Sequence, residues 1–266
     1  MLNWTDIGAN LADSSFDIDL DAVLARARRA GVRHIVITGS SIDSNQRAAQ
    51  LALTDDHLFF TAGVHPHHAN DYDDAMHQKL AMQMRAPGIR AAGECGLDYY
   101  RNLATPAAQA KAFAAQLDLA QELALPVFLH QRDAHDDFLA ILGPRLKDLP
   151  PVVAHCFTAG ERELDAYLEL GMYIGITGWI CDERRGLHLR ELVSRIPENR
   201  LMLETDAPYL LPRTLRPKPK TRRNEPAWLV EVAEMVAQCR DVSLDHLATT
   251  TTANAMYFFN LPGSVD

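Results

Sequence analysis

Eight short apolar runs recur along the chain with amphipathic stretches between them, and this alternation constrains the fold more than any other feature. Most of the runs are nearly continuous in apolar residues, as is typical of parallel strands buried on both faces. The alternation favours the α/β class and a (β/α)8 TIM barrel. The candidate strands are "TDIGAN" (5–10), "HIVITG" (34–39), "LFFTAGVHP" (58–66), "IRAAGECGLD" (89–98), "PVFLHQRD" (126–133), "VVAHCFT" (152–158), "MYIGITGWI" (172–180) and "LMLETDAP" (201–208).

The stretches between the runs carry the start and stop signals of helices. Gly31 is a helix stop. Thr105 is suited to cap a helix whose first position is Pro106. The pattern predicts helices over 20–31, 105–124, 160–171, 185–197 and, as the last helix, 226–239.

An open doubly wound sheet is the alternative architecture. Such a sheet usually carries a GxGxxG phosphate loop after its first strand, whereas the first run here continues as "GANLADSS". A length of 266 residues is ordinary for one barrel, and no linker or low-complexity segment is evident. We therefore predict a single TIM-barrel domain over residues 1–266.

Composition excludes several other classes of protein. Apolar residues make up 47% of the chain, which disfavours disorder. No apolar stretch approaches the roughly 18 residues of a transmembrane helix, so we expect no membrane contact. The N-terminal "MLNWTDIGANL" lacks the segments of a signal peptide. The four cysteines are widely spaced without a CxxC motif, which favours reduced thiols in a cytoplasmic protein. Nothing demands an interface, so we expect a monomer.

Ionisable side chains concentrate where the predicted strands end, which is the active-site face of a TIM barrel. Any one of them could be structural, but several buried charges on one rim are costly unless they are paired or bind metal. Glu94 can bridge two cations, and His130 and His155 offer neutral nitrogens. Asp206 can bind metal or take a proton from a water molecule that the metal activates. The set predicts a hydrolase site for a divalent metal.

Motifs spread in order over nearly the whole chain are similar to those of one enzyme family. On these motifs the chain resembles the TatD family of metal-dependent DNases, within the amidohydrolase-like TIM barrels. Two further stretches, "ITGWICDERRGL" and "RRNEPA", resemble its TatD-type members. The motifs are "AGVHPH" (62–67), "GECGLDYYR" (93–101), "PVFLHQRDA" (126–134), "HCFT" (155–158), "IGITGW" (174–179) and "LETDAPYLLP" (203–212).

The resemblance implies a nuclease that depends on Mg2+ or Mn2+, with Zn2+ as a further candidate in the purified protein. For TatD-type members it implies 3′-to-5′ exonuclease activity on single-stranded DNA and RNA, with a role in DNA repair and nucleic-acid turnover. It implies that Glu94, His130 and His155 bind metal, and that Asp206 binds metal and acts as an acid–base residue. We take Glu94 and Asp206 as the catalytic residues.

The chain departs from the family pattern in its first strand. Most members carry Asp-x-His-x-His-Leu there, and both histidines bind the first metal ion. Aligned on Asp6, those positions hold Gly8 and Asn10, and a glycine has no side chain to bind metal. An amide oxygen is a weak ligand that suits hard cations. The first metal site is therefore weak, filled largely by water, or absent. We expect metal near Glu94 and His155, with Asn10 at most a distant or water-mediated neighbour.

Other polar residues on the rim are candidates for contact with a phosphate or with the metal site. His65 and His67 follow the third strand, and the alternative is a strand-end turn around Pro66. Arg132 ends the fifth strand. Tyrosine and tryptophan side chains on the same face can stack with unpaired bases or simply pack on the rim. These aromatic residues are Tyr99, Tyr100, Trp179 and Tyr209.

One segment is strongly basic in a protein of net charge −9. The overall charge argues against a general nucleic-acid-binding surface. The segment "RTLRPKPKTRR" (213–223) carries six positive charges and no acid. A solvated loop is the ordinary interpretation of such a run. However, it follows the eighth strand on the active-site face, next to "DERRG" (182–186), so we expect Arg222 and Arg223 to contact phosphates.

Two other functions remain open at this point. A metal-dependent hydrolase of a small ester, lactone or amide could use the same barrel and ligands, because fold does not determine function. The basic segment argues against it. A binding or quality-control protein that has lost its first metal site is a non-enzymatic alternative, which the set of Glu94, His130, His155 and Asp206 opposes.

Overall fold

The computed structural model describes residues 2–263 and contains an eight-stranded sheet whose strands follow in chain order. Each strand pairs in parallel with the next, as the apolar runs predicted. The strands are β1 (Trp4–Ala9), β2 (Val32–Ile37), β3 (Leu58–Ala62), β4 (Ile89–Asp98), β5 (Val127–Arg132), β6 (Val152–Ala154), β7 (Tyr173–Ile176) and β8 (Leu201–Leu203).

Hydrogen bonds between β1 and the segment that follows β8 close the barrel. The Asp206 N–H, just after β8, donates to the Gly8 carbonyl at 2.8 Å. Two residues earlier in β1, the Asp6 carboxylate accepts from the backbone N–H of Thr205 at 2.9 Å and from its hydroxyl at 2.6 Å. The predicted (β/α)8 TIM barrel is thus confirmed, and the carboxyl ends of its parallel strands share one rim.

Nine α-helices lie between residues 2 and 263, and four of them were not predicted. The unpredicted α9 corrects the expectation that the last helix is the one near 226–239. Its centre is a run of threonines, which are weak helix formers. Ser243 caps its start, and the Thr251 hydroxyl donates to the Leu247 carbonyl one turn earlier. The helices are α1 (Leu20–Arg29), α2 (Ile42–Ala52), α3 (Asp74–Gln83), α4 (Pro106–Leu123), α5 (His135–Leu142), α6 (Glu161–Glu169), α7 (Leu187–Leu192), α8 (Leu229–Arg240) and α9 (Leu244–Phe258).

Several predicted elements are longer than the observed ones. The predicted strands over 152–158, 172–180 and 201–208 become β6, β7 and β8, which end four to five residues earlier. The residues beyond each strand are still buried, among them Phe157, Ile180 and Ala207, so the apolar pattern continues into the loops at the barrel mouth. The predicted helix over 185–197 is α7 followed by a short 3-10 turn, Val193–Arg195.

The barrel interior is packed at the end opposite the active-site rim. Each strand sends one buried side chain into this layer. Phe258 and Phe259 at the end of α9 pack against it, while Thr252 and Asn254 of α9 donate hydrogen bonds to backbone carbonyls at the starts of β1 and β8. A ligand can therefore approach the barrel axis only from the carboxyl ends of the strands. The inward residues are Ile7, Val36, Phe59, Ala91, Phe128, Val153, Tyr173 and Met202.

Two further expectations can be compared with the described residues. All four cysteines are free, as the spacing predicted. None of the helices between residues 2 and 263 combines the length and the apolar character needed to cross a bilayer.

Candidate metal centre at the carboxyl ends of the strands

Three histidine rings meet at one oxygen of Glu94, a residue of β4. Oε1 of Glu94 lies 2.8 Å from Nε2 of His155, 3.0 Å from Nδ1 of His130 and 3.3 Å from Nε2 of His65. His65, His130 and His155 come from the ends of β3, β5 and β6. Adjacent parallel strands thus bring together residues that lie up to 90 positions apart, as the strand-end pattern predicted for Glu94, His130 and His155.

The surrounding imidazoles control the ionisation of Glu94. Its side chain is buried, with 6% of the residue exposed. Burial by itself raises the pKa of the carboxyl. The attraction of His65 and His155 and the hydrogen bonds from His130 and His155 outweigh burial and hold the pKa well below its usual range. Glu94 is therefore a carboxylate, which is the form that binds a cation.

His65 points its Nε2 toward Glu94. Nδ1 of His65 accepts from the His67 N–H at 3.1 Å. Burial lowers the pKa of His65 to about 4, so the ring is neutral and its one proton sits on Nε2, the nitrogen facing Glu94. His65, Glu94 and His130 form a compact group of metal-ligand type. In this tautomer, however, His65 has no lone pair to give a metal ion.

His130 and His155 have the opposite arrangement, with a carboxylate behind each ring. Nδ1 of His155 lies 3.2 Å from Oε2 of Glu204. Nε2 of His130 is buried and lies 3.4 Å from Oδ2 of Asp98, outside hydrogen-bond geometry. A carboxylate can only accept, so it favours a proton on the nitrogen that faces it. The other nitrogen of each ring faces the Glu94 carboxylate, and it is the nitrogen whose proton a cation would replace. Two imidazole nitrogens beside carboxylate oxygens fit a divalent cation.

Asp206 follows β8 and lies at the same end of the barrel as Glu94. Its backbone is in the left-handed region (φ 53°), which aspartate tolerates better than most residues. The Asn10 side-chain amide donates to Oδ1 of Asp206 at 2.9 Å. Burial raises the pKa of Asp206 to about 7, with the charge of His155 opposing this and that of Glu94 adding to it. The amide N–H of Asn10 is thus engaged by Asp206, and the expectation about its distance from metal stays a prediction.

Sequence reasoning left two carboxylates out of the site, Glu204 and Asp98. Glu204 is fully buried and touches His155. Asp98 is also buried and lies 2.8 Å from Nε2 of His67. Both lie at predicted strand ends, Glu204 two residues before Asp206 and Asp98 four residues after Glu94, and this proximity to a proposed ligand was the available signal. His67 contacts Asp98 and not Glu94, so Asp98 separates the His67 ring from the Glu94 carboxylate.

Arg132 lies between two aromatic rings beside the centre. Its guanidinium carbon is 3.7 Å from the ring centroid of Tyr100 and 5.7 Å from that of Trp179. No acid pairs with Arg132 within residues 2–263. The indole Nε1 of Trp179 is buried and has no hydrogen-bond partner in the same part of the chain. A stacked guanidinium with free N–H groups is well suited to bind a phosphate.

The two adjacent arginines at the end of the basic segment have different surroundings. Arg222 lines an open cavity of about 610 Å3 that also includes Trp179. Arg223 turns away: it forms an ion pair with Asp19 at 2.7 Å and donates to the Ser15 carbonyl. The basic residues lining the cavity are Arg184, Arg185, Arg213, Lys218 and Arg222.

Acids near this cavity balance part of its charge. Arg184 and Arg185 both lie 2.9 Å from Asp182, and Arg213 lies 2.8 Å from Glu183. No such pair involves Arg222 within residues 2–263. The cavity therefore retains unpaired positive charge on the active-site face, as the basic segment predicted.

Comparisons with known proteins agree with this geometry. The family model described as "TatD related DNase" matches residues 5–260. A protein named 3′-5′ ssDNA/RNA exonuclease TatD from Klebsiella pneumoniae (strain 342) is 51% identical, over 96% of this chain and 97% of its own length. The protein of that name from Cronobacter sakazakii is 52% identical, over 96% and 97%.

Solved structures give the same result. The crystal structure of a TatD homologue from Escherichia coli K12 superposes with a TM-score of 0.88 at 27% identity, covering 97% of this chain and 98% of the other. A TatD family hydrolase from Entamoeba histolytica superposes with a TM-score of 0.89 at 26% identity, covering 98% and 99%.

Proposed function

Because the chain belongs to the TatD-related DNase family, we propose that it is a metal-dependent 3′-to-5′ exonuclease of single-stranded DNA and RNA. The family resemblance seen in the motifs is confirmed by the model match and by relatives about half identical over nearly the whole length. The observation that carries the proposal is the convergence of His130 Nδ1 and His155 Nε2 on the ionised carboxylate of Glu94.

The proposed metal ligands are Glu94, His130, His155 and Asp206. Carboxylate oxygens suit Mg2+ and Mn2+, whereas imidazole nitrogens suit softer ions such as Zn2+. We propose Mg2+ or Mn2+ as the activating ion and expect Zn2+ to bind during purification. Gly8 offers no ligand atom, so β1 contributes Asn10 to the mouth only through its contact with Asp206.

The side chains divide the chemistry of phosphodiester hydrolysis between them. A divalent cation bound at this centre favours ionisation of water and offsets the negative charge that develops on the phosphoryl oxygens. Asp206 accepts a proton from the attacking water and returns it to the leaving oxygen. Asn10 keeps Asp206 in place through its amide hydrogen bond. The neutral ring of His65 lies against Glu94, with Nε2 3.3 Å from Oε1, and limits the space in which this carboxylate can move.

The surroundings of the centre suit a polymer of phosphates better than a small neutral substrate. Arg132 and Arg222 present unpaired charge on the same face, and the cavity at Arg222 is lined by the segments that follow β7 and β8. Tyr100, whose residue is 60% exposed, offers a ring for an unpaired base. These features support nucleic acid over the small ester, lactone or amide substrate. The set of Glu94, His130, His155 and Asp206 supports an enzyme over a binding protein.

A labelled oligonucleotide tests the function directly. With Mg2+, a single-stranded substrate labelled at its 5′ end should give a descending ladder, and one labelled at its 3′ end should release label at once. Chelation of the metal should stop both reactions. Glu94→Ala and His155→Ala should abolish cleavage while circular dichroism shows a folded protein. Full activity in both variants, or shortening from the 5′ end, would contradict the proposal.

The wider setting of the activity is also proposed from the family and the chain. A role in DNA repair and nucleic-acid turnover follows from the substrate class. Free thiols support a cytoplasmic location. We propose that residues 1–266 act as one domain and as a monomer, which light scattering on purified protein would test.

A further inference from the structure

Glu204 is a buried acid at the centre of the barrel mouth that the proposed ligand set does not use. It follows β8 directly and has no exposed surface. Its oxygens have separate partners: Oε2 lies 3.2 Å from Nδ1 of His155, and Oε1 accepts from the Cys156 N–H at 2.5 Å. Both partners directly follow β6, and β7 lies between β6 and β8 in the sheet.

Two glycines make the space that this carboxylate occupies. Gly8 lies on β1 and Gly175 on β7, the strands on either side of β8. A Cβ at Gly8 would overlap Oε2 of Glu204, and a Cβ at Gly175 would overlap Oε1. A buried carboxylate is costly unless each oxygen is hydrogen-bonded, so a close-fitting space with two donors indicates a specific role.

We infer that Glu204 is a positioning residue that sets the tautomer of His155 and thereby the affinity of the centre for its cation. The inference rests on the metal site proposed above. Because a carboxylate only accepts, Glu204 favours a proton on Nδ1 of His155. A cation would therefore replace the proton on Nε2, the nitrogen that lies 2.8 Å from Glu94 where the proposed ligands converge. Hydrogen-bonded carboxylates behind a metal-binding histidine fix its orientation and raise its basicity.

The same geometry accounts for the glycine at position 8. The side of the mouth where the family pattern places a metal-binding histidine is used here to admit the end of Glu204. The first strand therefore acts on the metal site through Glu204 and His155. A side chain at position 8 should weaken metal binding without contacting any ligand.

Metal affinity provides a test that does not depend on catalysis. Binding of Mn2+ is measured by the electron paramagnetic resonance of the free ion in the wild type, Glu204→Gln and Gly8→Ala. Glutamine has one acceptor oxygen, so its NH2 group must face either His155 Nδ1–H or the Cys156 N–H. We expect Glu204→Gln to weaken Mn2+ binding about 10- to 100-fold. Gly8→Ala should weaken it in the same direction but less.

Glu225→Gln is the matched control. Glu225 is also a buried carboxylate, 6% exposed, but its partner is Arg26 at 2.7 Å and it touches no histidine. This variant should lower the melting temperature while leaving Mn2+ affinity unchanged. It separates the loss of a buried carboxylate in general from the loss of the one behind His155.

The ring nitrogens of His155 give a second readout. In Mg2+-saturated wild type, nitrogen NMR should show His155 as the Nδ1–H tautomer, assigned by loss of the signal in His155→Gln. In Glu204→Gln the tautomers should mix. An Nε2–H tautomer in the wild type would overturn the inference, even if Glu204→Gln does not fold.

The outcomes also separate this inference from the proposed function. If Glu204→Gln binds Mn2+ as the wild type does while Glu94→Ala does not, the inference is overturned and the metal site stands. If the wild type binds no Mn2+, both are overturned.

Discussion

The two halves of the barrel mouth differ in chemistry. At the ends of β3 to β6, three imidazoles surround one oxygen of Glu94. At the ends of β1 and β8, an amide, Asn10, meets a carboxyl, Asp206, and position 8 has no side chain at all. We propose that the first half supplies three of the four metal ligands, Glu94, His130 and His155, and that the second half supplies Asp206, which also transfers the proton.

Glu94 and Asp206 show how neighbouring groups determine whether a carboxyl at the barrel mouth is ionised. Burial tends to raise the pKa of both. The imidazoles around Glu94 reverse the effect and hold its pKa well below the usual range. At Asp206, burial prevails, and the pKa is raised to about 7 despite His155 and the hydrogen bond from Asn10. Burial alone therefore does not identify a metal-binding acid, because the neighbouring groups determine its charge.

The largest expected effect separates the two halves by function. Asp206→Asn removes the proposed acid–base group, so kcat on single-stranded DNA should fall about 10²- to 10⁴-fold. Mn2+ binding should fall less than in Glu94→Ala, because the histidine-rich half is intact. Single-turnover kinetics and Mn2+ titration measure the two quantities. Equal loss of metal by both variants would show that the division between halves is wrong.

A smaller effect tests the roles within the histidine-rich half. His130→Ala removes a proposed ligand, so Mn2+ affinity should fall by more than the about 10-fold that loss of an outer hydrogen-bond partner causes. His65→Ala removes a neutral ring beside Glu94 that offers no lone pair to the cation, so Mn2+ affinity should fall by about that factor or less. Isothermal titration with Mn2+ compares them. A larger loss from His65→Ala would mean that His65 is the ligand and that its tautomer assignment is wrong.

The smallest expected effect is on the affinity for single-stranded DNA. It concerns the loop after β8, where Arg222 lines the basic cavity. Arg222→Ala should weaken single-stranded DNA binding at all sequences and reduce the slope of log affinity against log salt by about 1. Arg223→Ala is the control, because Arg223 is paired with Asp19. It should lower thermal stability and leave the salt slope unchanged.

This pair of variants also tests the substrate class. Hydrolysis of a small neutral ester should not respond to Arg222→Ala, since no phosphate is present to lose a contact. A salt slope that falls with Arg223→Ala and not with Arg222→Ala would contradict the placement of the polymer in this cavity.

The barrel could be predicted from sequence because its signal is local and repeated. Eight apolar runs separated by helical stretches left few architectures open, and all eight strands formed. The helix α9 was missed because threonines conceal its pattern, and only its packing against the barrel end makes it a helix. Strand ends were overestimated at β6 to β8, since the loops that follow are buried at the mouth.

The candidate site was predictable in part for a similar reason. Glu94 and His130 lie in the last halves of β4 and β5, and His155 and Asp206 follow β6 and β8. The barrel places all strand ends on one rim. Which nitrogen of each histidine faces the centre could not be read from sequence. It depends on the His67 N–H for His65 and on Glu204 for His155.

By itself, the sequence determined the alternating pattern of the barrel, the acids and histidines at its rim and the basic run after β8, because each is a property of neighbouring residues. The tertiary structure decided the rest. Glu204 meets Gly8 across 196 positions, and Arg223 meets Asp19 across 204, so that Arg222 alone of the two faces the cavity. Contacts of this kind arise only when the closed sheet brings its first and last strands together.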